Sequence, residues 1–263
     1  MKEAMRDFYG NNPRYYELIE KCEGEGFHYD FLLEKLIARC AVAGIMPRVL
    51  DVAVGTGHYL ERSGRFGAKG FGIDLSLHAC RMARSKSEKA AVCRSDAEAL
   101  PFRDGVFDLV LCLQMLEHVP GPEHVVREIT RVLKPGGWLF LSAPNMLGSS
   151  PFSRFLRAVR FRFSKETRDL QALPGDILSR WEHAATTRDV ADLDACNRTT
   201  VFQALNLLRG NGLEVEYSDT SRHPKKYGSV GYLLARVRQK IPILKYAGVN
   251  FKIIARKRVP TDV

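Results

Sequence analysis

The 263-residue sequence lacks several features that mark specialised classes of protein. No apolar run approaches the roughly 18 residues that a membrane-spanning helix needs. The sequence shows no charged segment followed by an apolar stretch at its start, so we predict no signal peptide. The six cysteines are scattered and form no CxxC pair, so neither a zinc site nor a redox dithiol is indicated. We therefore expect reduced thiols in a cytoplasmic protein.

The sequence also lacks the GxGxxG spacing of the NAD fingerprint. VLDVAVGTGHYL, residues 49–60, instead predicts a strand, a glycine turn and a helix, with the spacing Asp51-x-Ala53-x-Gly55-x-Gly57. The glycines allow a ligand to approach the backbone. A carboxylate at the end of the strand would repel a pyrophosphate and suits a cationic amine or sulfonium. The spacing by itself leaves open a tight turn with no ligand.

Positive charge is unevenly distributed along the chain. Residues 1–150 contain 19 Lys and Arg against 19 Asp and Glu, whereas residues 151–263 contain 21 against 11. The second part therefore supplies the whole net charge of +10. This excess indicates an anionic partner, which can be a nucleic acid, a membrane surface or an acidic small molecule.

Short apolar runs alternate with helical stretches between residues 47 and 144, which predicts an α/β fold with a parallel, doubly wound sheet. We divide the chain into an N-terminal helical cap, 1–46, and a main domain, 47–263, with an inserted lid at about 145–198. Strands are predicted near 48–53, 70–74, 91–94, 107–112, 137–143, 213–221 and 251–258, and helices near 58–65, 76–88, 122–133, 199–209 and 229–240.

A second carboxylate, Asp74, ends the strand within AKGFGIDLS, 19 positions after Gly55. An acidic residue at the end of the second strand can accept hydrogen bonds from both ribose hydroxyls of a nucleotide. It could instead cap the following helix. Because Ser76 is an equally good cap, Asp74 stays available for a ligand.

Five motifs follow one another in order: the turn at 51–57, GIDLS, SDAEALPF, FDLVLCLQMLEHV and LKPGGWLFLSAPN. Together they resemble class I S-adenosylmethionine-dependent methyltransferases, of the branch that includes the ubiquinone and menaquinone biosynthesis enzymes. The resemblance covers about residues 47–145 and, more loosely, 199–257. It implies a Rossmann-like seven-stranded sheet, S-adenosylmethionine as cofactor, and methyl transfer to a small-molecule or lipid-like acceptor, with oxygen favoured as the acceptor atom.

The resemblance also implies the residues around the cofactor. They are Asp51, Ala53, Gly55 and Gly57 at the methionine end, Asp74 at the ribose, Asp96 and Ala97 at the adenine, and Leu113 and Gln114 beside the sulfonium. Ala53 departs from the family pattern, which has glycine there. Its methyl group tightens the loop and would modestly weaken cofactor binding.

His118, in Glu117-His118-Val119, is the candidate general base, because its unperturbed pKa suits proton transfer near neutrality. The alternative is that Glu117 and His118 only organise the loop before Pro120. Quinone O-methyltransferases carry an ExxEH metal signature here, whereas this chain has Gln114 in the first position. An amide attracts Mg²⁺ much less than a carboxylate does, so we predict no metal site.

The basic charge raises RNA methylation as an alternative. The Asn/Asp-Pro-Pro-aromatic motif of enzymes that methylate exocyclic amines is replaced by LCLQMLEH, and no RNA-binding module is recognisable. Nucleic acid is therefore not favoured as a partner, although ribose or ring-atom methylation stays open. Two further alternatives are a non-catalytic S-adenosylmethionine-binding interaction module and a dehydrogenase, which would bind NAD.

The insertion offers another explanation of the charge. In PFSRFLRAVRFRFSK, residues 151–165, a helical projection places most of the aromatic and aliphatic side chains opposite the basic ones. One interpretation is a lid helix over the active site, and the other is a helix that touches anionic lipid at a membrane surface. An acceptor that is hydrophobic or anionic fits either interpretation, and the oligomeric state stays open.

Overall fold

A computed structural model describes Tyr16 and residues 29–119, 121–145, 199–220 and 250–260. Within them, seven strands form one sheet in the order β3-β2-β1-β4-β5-β7-β6. The strands are β1 (Arg48–Val52), β2 (Lys69–Asp74), β3 (Ala91–Arg94), β4 (Phe107–Leu113), β5 (Leu133–Pro144), β6 (Leu213–Asp219) and β7 (Asn250–Lys257). The helices are α1 (Asp30–Cys40), α2 (His58–Arg65), α3 (Leu77–Lys86), α4 (Pro122–Val132) and α5 (Val201–Gly210), with a 3₁₀ turn at Leu116–His118.

The predicted seven-stranded, doubly wound sheet is confirmed, with one difference in strand direction. Strands β1 to β5 pair in parallel, whereas β7 lies antiparallel to both β5 and β6. The sheet is therefore mixed. Since β6 again runs in the direction of β5, the carboxyl ends of β1 to β6 and the start of β7 all meet at one edge.

Both faces of the sheet are covered by apolar contacts. The larger cluster joins one face to α4 and α5, and includes Leu50, Val110 and Ile129. On the opposite face, Leu33 and Ile37 of α1 pack with residues of β4 and β5. The described part of the predicted N-terminal cap therefore forms one of the helical layers of the sandwich. Whether residues 1–46 behave as a separate unit stays a prediction.

Local sequence signals set several element boundaries. Ser76 caps α3 by accepting a hydrogen bond from the N–H of Ala79, and Thr200 and Gln203 form a capping box at the start of α5. The segment LKPGG differs from the prediction, because residues 133–137 belong to β5 and interrupt the β4–β5 register as a bulge. Pro and Gly here deform the start of a strand and do not precede it.

Several predictions fall outside the described residues. They concern the lid at about 145–198 beyond Asn145, its helix at 151–165, the helix near 229–240, and residues 1–15 and 17–28 of the N-terminal segment. Among the described helices, none combines the length and the apolar composition needed to cross a membrane. The four cysteines of the described residues, Cys40, Cys80, Cys93 and Cys112, are free thiols.

Arg131, in the last turn of α4, fastens the loop between β3 and β4 to the domain. Its guanidinium donates hydrogen bonds to the carbonyl oxygens of Leu100 and Phe102, at 3.0 and 2.7 Å. It also pairs with the carboxylates of Glu128 and Asp104, at 2.7 Å each. Since Glu128 in turn accepts from the N–H of Leu100, one small network holds the loop at several points.

Replacing Arg131 by alanine is expected to lower the free energy of unfolding by about 1–3 kcal/mol, since charge-assisted hydrogen bonds are lost. The hydrogen bonds from Arg131 hold the pKa of Glu128 below its ordinary value. A carboxyl whose pKa is lower in the folded state stabilises the fold above its unfolded pKa, and this contribution disappears as the pH falls through the folded value. The difference in stability between the native chain and Arg131→Ala should therefore shrink on acidification.

Thermal unfolding across a pH series, from neutral to acidic, measures this effect. Arg127→Ala is the matched control, because Arg127 lies on the same helix and is exposed. Equal losses of stability in the two variants at neutral pH would contradict the role given to Arg131.

Candidate active site

The carboxyl edge of the sheet forms a crevice at the switch point between β1 and β4. Asp51 of β1 pairs with Gly72 of β2 on one side and with Leu111 of β4 on the other. The chain leaves β1 towards β2 and returns at β4 on the opposite side of β1, so the loops after these two strands diverge. Such a point is where open α/β sheets bind ligands.

The turn after β1 has a left-handed backbone at three residues. The φ angles are 63° at Ala53, 52° at Gly55 and 84° at Gly57. An added Cβ at Gly55 would meet no atom within 4 Å, whereas at Gly57 it would lie 2.6 Å from Cα of Ala83 in α3. Gly57 therefore allows close packing of the turn on α3, and Gly55 leaves open space beside the backbone.

The left-handed backbone of Ala53 was not predicted from the sequence. A residue with a Cβ pays about 1–2 kcal/mol in the left-handed region. The departure from glycine at this position therefore costs backbone energy, in addition to the space that the methyl group fills.

Asp74 joins the ends of β1 and β2. One carboxylate oxygen accepts a hydrogen bond from the N–H of Gly55 at 3.0 Å, and the other accepts from the N–H of Ser76 at 2.8 Å. Burial raises the pKa of Asp74 against the opposing effect of these backbone donors. Ser76 is the helix cap, as predicted, but Asp74 has a structural task as well. The backbone N–H of Leu75 also donates to this carboxylate, so three backbone donors hold it in place.

Two further carboxylates, Asp51 and Glu117, are buried at the same edge, each with 3% of its surface exposed. Both lie near the thiol of Cys112. Burial is the main cause of the strongly raised pKa of this thiol, and the charges of Glu117 and then Asp51 add to it. With Asp74, three acidic residues surround the switch point, which favours a positively charged ligand.

The loop after β3 brings Asp96 and Ala97 to this edge. The N–H of Ser95 donates to the carbonyl oxygen of Asp74 at 2.9 Å, so the loop starts at the end of β2. One carboxylate oxygen of Asp96 accepts from the N–H of Glu98 at 3.0 Å, which closes a turn. Ala97 packs against the larger apolar cluster.

Leu113 and Gln114 end β4 beside the turn after β1. Leu113 is half-buried against the apolar cluster that contains α1. Gln114 has a left-handed backbone, with φ of 53°. Its N–H donates to the carbonyl oxygen of Ser142 at 2.7 Å, and its Nε2 donates to Oγ of the same serine at 2.9 Å.

His118 ends the 3₁₀ turn that follows β4. The residue is buried, with 9% of its surface exposed. Its Nε2 lies 3.7 Å from a carboxylate oxygen of Glu117, a distance suited to an ion pair when the ring is protonated. The role of general base stays a prediction.

Among the described residues, no group of three or more His, Cys, Asp and Glu side chains is arranged to hold a metal ion. The residues that are present do fit an adenosyl sulfonium. The open space beside Gly55 admits the ligand, the three carboxylates match its positive charge, and Asp74 and Asp96 lie on consecutive loops where ribose and adenine would follow one another.

Comparisons with known proteins agree with this geometry. Residues 50–141 match the family model described as "Methyltransferase domain". The segment from β1 to β5 is therefore similar to a methyltransferase domain. The matched residues run from β1 to β5, and they include every predicted cofactor-binding residue and His118.

The curated relatives that match part of this chain include ubiquinone biosynthesis O-methyltransferases. That of Albidiferax ferrireducens is 41% identical over 119 residues, which cover 43% of this chain and 46% of that protein. That of Chromobacterium violaceum is 37% identical over 118 residues, which cover 43% of this chain and 50% of that protein. The chain thus spans about half the length of the curated relatives that it matches.

Solved structures resemble a larger part of the chain. A putative methyltransferase from Bacillus halodurans covers 86% of this chain and 99% of its own, with 21% identity and a TM-score of 0.56. The [4+2]-cyclase SpnF covers 88% of this chain and 82% of its own, with 23% identity and a TM-score of 0.55. These similarities establish the fold of the methyltransferase domain, and the cyclase shows that the fold can serve another reaction.

Sequence reasoning missed Ser142 and Tyr29, which form hydrogen bonds beside the predicted site residue Gln114. Ser142 is a polar residue in the apolar strand WLFLSAP and is fully buried. That contrast was the available signal, because a buried hydroxyl needs a partner. Tyr29, just before α1, offered no such signal, since its hydroxyl meets Ser142 across 113 residues of sequence.

The two glycines of the turn provide a test of the site. Gly57→Ala is expected to lower the free energy of unfolding by at least about 1–3 kcal/mol, because the new Cβ overlaps Ala83. Gly55→Ala costs about 1–2 kcal/mol of backbone strain but meets no protein atom. It should keep the fold and lower the affinity for S-adenosylhomocysteine, as measured by thermal unfolding and calorimetry.

Gly105→Ala is the matched control for strain, since Gly105 also has a positive φ, of 64°, with open space beside it, and lies in the loop before β4. It should lose similar stability and bind S-adenosylhomocysteine like the native chain. Equal affinities of Gly55→Ala and Gly105→Ala would show that no ligand approaches Gly55.

Proposed function

We propose that this protein is an S-adenosylmethionine-dependent methyltransferase that methylates an oxygen atom of a small, quinone-like acceptor such as a catechol or hydroquinone. The observation that carries the proposal is the carboxylate-lined crevice at the β1–β4 switch point. It is supported by 37–47% identity between part of this chain and ubiquinone biosynthesis O-methyltransferases. Those relatives are matched over half their length or less, so the acceptor class is an inference from the matched segment.

The cofactor site is proposed residue by residue. The turn of Ala53, Gly55 and Gly57 with Asp51 holds the methionine end, and Asp74 accepts hydrogen bonds from the ribose. Asp96 accepts from the adenine amino group, and Ala97 packs beside the ring. Leu113 and Gln114 lie at the sulfonium.

When bound, the cofactor supplies a methyl group on a positively charged sulfur, which departs as a neutral thioether. The protein has to align the acceptor oxygen with this methyl group and exclude water. The buried carboxylates stabilise the sulfonium while it is bound and lose that interaction once the charge disappears, which assists release of the product.

His118 is proposed to accept the proton of the acceptor hydroxyl, with the carboxylate of Glu117 beside its ring. The carboxylate of Glu117, 3.7 Å from Nε2, then stabilises the imidazolium. In this proposal, His118 acts as the base and Glu117 stabilises its protonated form. A base of this kind typically contributes about a factor of 10²–10⁴ in rate.

A peripheral contact with anionic lipid belongs to the same proposal. A quinone-like acceptor with an apolar tail would be drawn from a membrane, and the sequence of residues 151–165, predicted from its pattern to be a basic amphipathic helix, suits such a surface. This segment lies outside the described residues.

The proposed function predicts that the purified chain transfers a labelled methyl group to catechols or hydroquinones. Acceptors with and without an apolar tail are compared with sugars, phospholipids and RNA, and calorimetry measures binding of S-adenosylhomocysteine and NAD. Absence of binding by S-adenosylhomocysteine would refute the proposal. Binding without transfer to any acceptor would support the interaction module, and transfer to RNA alone would replace the acceptor class.

His118→Ala is expected to lower kcat for an oxygen acceptor by about 10²–10⁴, while the affinity for S-adenosylhomocysteine stays unchanged. His124→Ala is the control, because His124 also faces a carboxylate, that of Glu98 at 3.7 Å, but its side chain is 58% exposed on α4. If His118→Ala turns over like His124→Ala, the base assignment is wrong.

A further inference from the structure

Three buried or half-buried polar groups form a hydrogen-bonded chain at the carboxyl edge of the sheet. The hydroxyl of Ser142, on β5, accepts from Nε2 of Gln114 at 2.9 Å. The same hydroxyl lies 2.9 Å from the hydroxyl of Tyr29, and one of these two groups donates to the other. We call this chain, Gln114–Ser142–Tyr29, the relay.

The relay restrains a residue whose backbone is strained. Gln114 has a φ of 53°, in a region that L-residues other than glycine rarely adopt. Its backbone N–H and its side-chain amide both donate to Ser142, at the carbonyl oxygen and at Oγ. Strain of this kind persists where surrounding contacts enforce it, and it is concentrated at functional sites.

Tyr29 is fixed in turn by the elements around the crevice. Its ring is stacked on that of Tyr59 in α2, at 6.0 Å between centroids, and meets Phe140 of β5 edge-on at 5.2 Å. Burial raises the pKa of Tyr29 to about 12, so its hydroxyl keeps its proton at neutral pH. The relay is therefore anchored on the helix that follows the glycine turn and on α1.

The hydrogen bond between Gln114 and Ser142 involves the amide nitrogen of Gln114. Because Nε2 donates to Ser142, the amide oxygen lies on the other side of the group, away from the relay. That oxygen carries partial negative charge and attracts a cation, whereas an amide nitrogen in its place would repel one.

We propose that Ser142 and Tyr29 are positioning residues that turn the amide oxygen of Gln114 towards the sulfonium, and so help the site to distinguish charged S-adenosylmethionine from neutral S-adenosylhomocysteine. This inference rests on the proposed function, since it requires the cofactor to bind beside Gln114. It concerns residues that act through Gln114 and do not touch the reacting atoms.

The readout is the ratio of the dissociation constants of the two ligands, measured by calorimetry on the full chain. Ser142→Ala frees the amide to rotate and is expected to weaken S-adenosylmethionine binding about threefold to tenfold, with a smaller change for S-adenosylhomocysteine. Tyr29→Phe keeps both ring contacts and should act in the same direction, more weakly. Ser142→Thr retains a hydroxyl and should restore most of the preference.

A double variant tests whether the residues act as one unit. Ser142→Ala is expected to change the ratio little in a Gln114→Leu background, because the amide that it orients is already absent. The controls are Tyr217→Phe, which removes a tyrosine hydroxyl that donates to Asp219 in β6, and Thr130→Val, which removes a hydroxyl that donates to a carbonyl oxygen in α4. Both should leave the ratio unchanged.

The outcomes separate this inference from the proposed function. If the native chain binds neither ligand, the proposed function fails and the inference fails with it. If the native chain binds both, but Ser142→Ala and Tyr29→Phe keep the native ratio, only the relay is refuted. If Ser142→Ala loses stability and weakens both ligands equally, Tyr29→Phe decides, and a native ratio in that variant refutes the relay.

Discussion

The hydrogen bond from the N–H of Gly55 to the carboxylate of Asp74 is the interaction on which the site depends. It spans the ends of two adjacent parallel strands and fixes the distance between the turn after β1 and the loop after β2. Without an acceptor at position 74, the left-handed turn would have a half-buried N–H without a partner. The same carboxylate orders the start of α3 through Ser76. One buried charge therefore shapes both the methionine end and the ribose end of the proposed cofactor site.

Charge is concentrated at this edge at an energetic cost. Asp51, Asp74 and Glu117 are all buried, and burial disfavours the ionised form of a carboxyl, as the raised pKa of Asp74 reflects. Backbone donors offset part of this cost at Asp74. A cationic ligand would offset more, so binding of a sulfonium and stability of the loops reinforce each other. The strained backbone at Ala53 and Gln114 lies at the same edge. Backbone strain and buried carboxylates, both of which cost free energy, are thus found around one crevice.

The fold alone does not decide the reaction. The [4+2]-cyclase SpnF and a putative methyltransferase share the arrangement of sheet and helices with this chain at low sequence identity. The proposed activity therefore depends on particular side chains, above all the carboxylates of the crevice and the buried pair of Glu117 and His118. The segment that matches the methyltransferase family model, residues 50–141, contains these residues.

The sequence by itself determined the order of strands and helices, the glycine turn, the Ser76 cap and the candidate residues at the strand ends, because these follow from local periodicity, turn chemistry and motif spacing. It did not predict the antiparallel β7 or the inclusion of LKPGG in β5, since pairing partners are set by contacts between distant segments. Nor did it predict the positive φ of Ala53, or the meeting of Tyr29, Ser142 and Gln114. Only the tertiary structure decided these features, because parallel strands bring together residues that lie tens of positions apart and local sequence carries no record of that proximity.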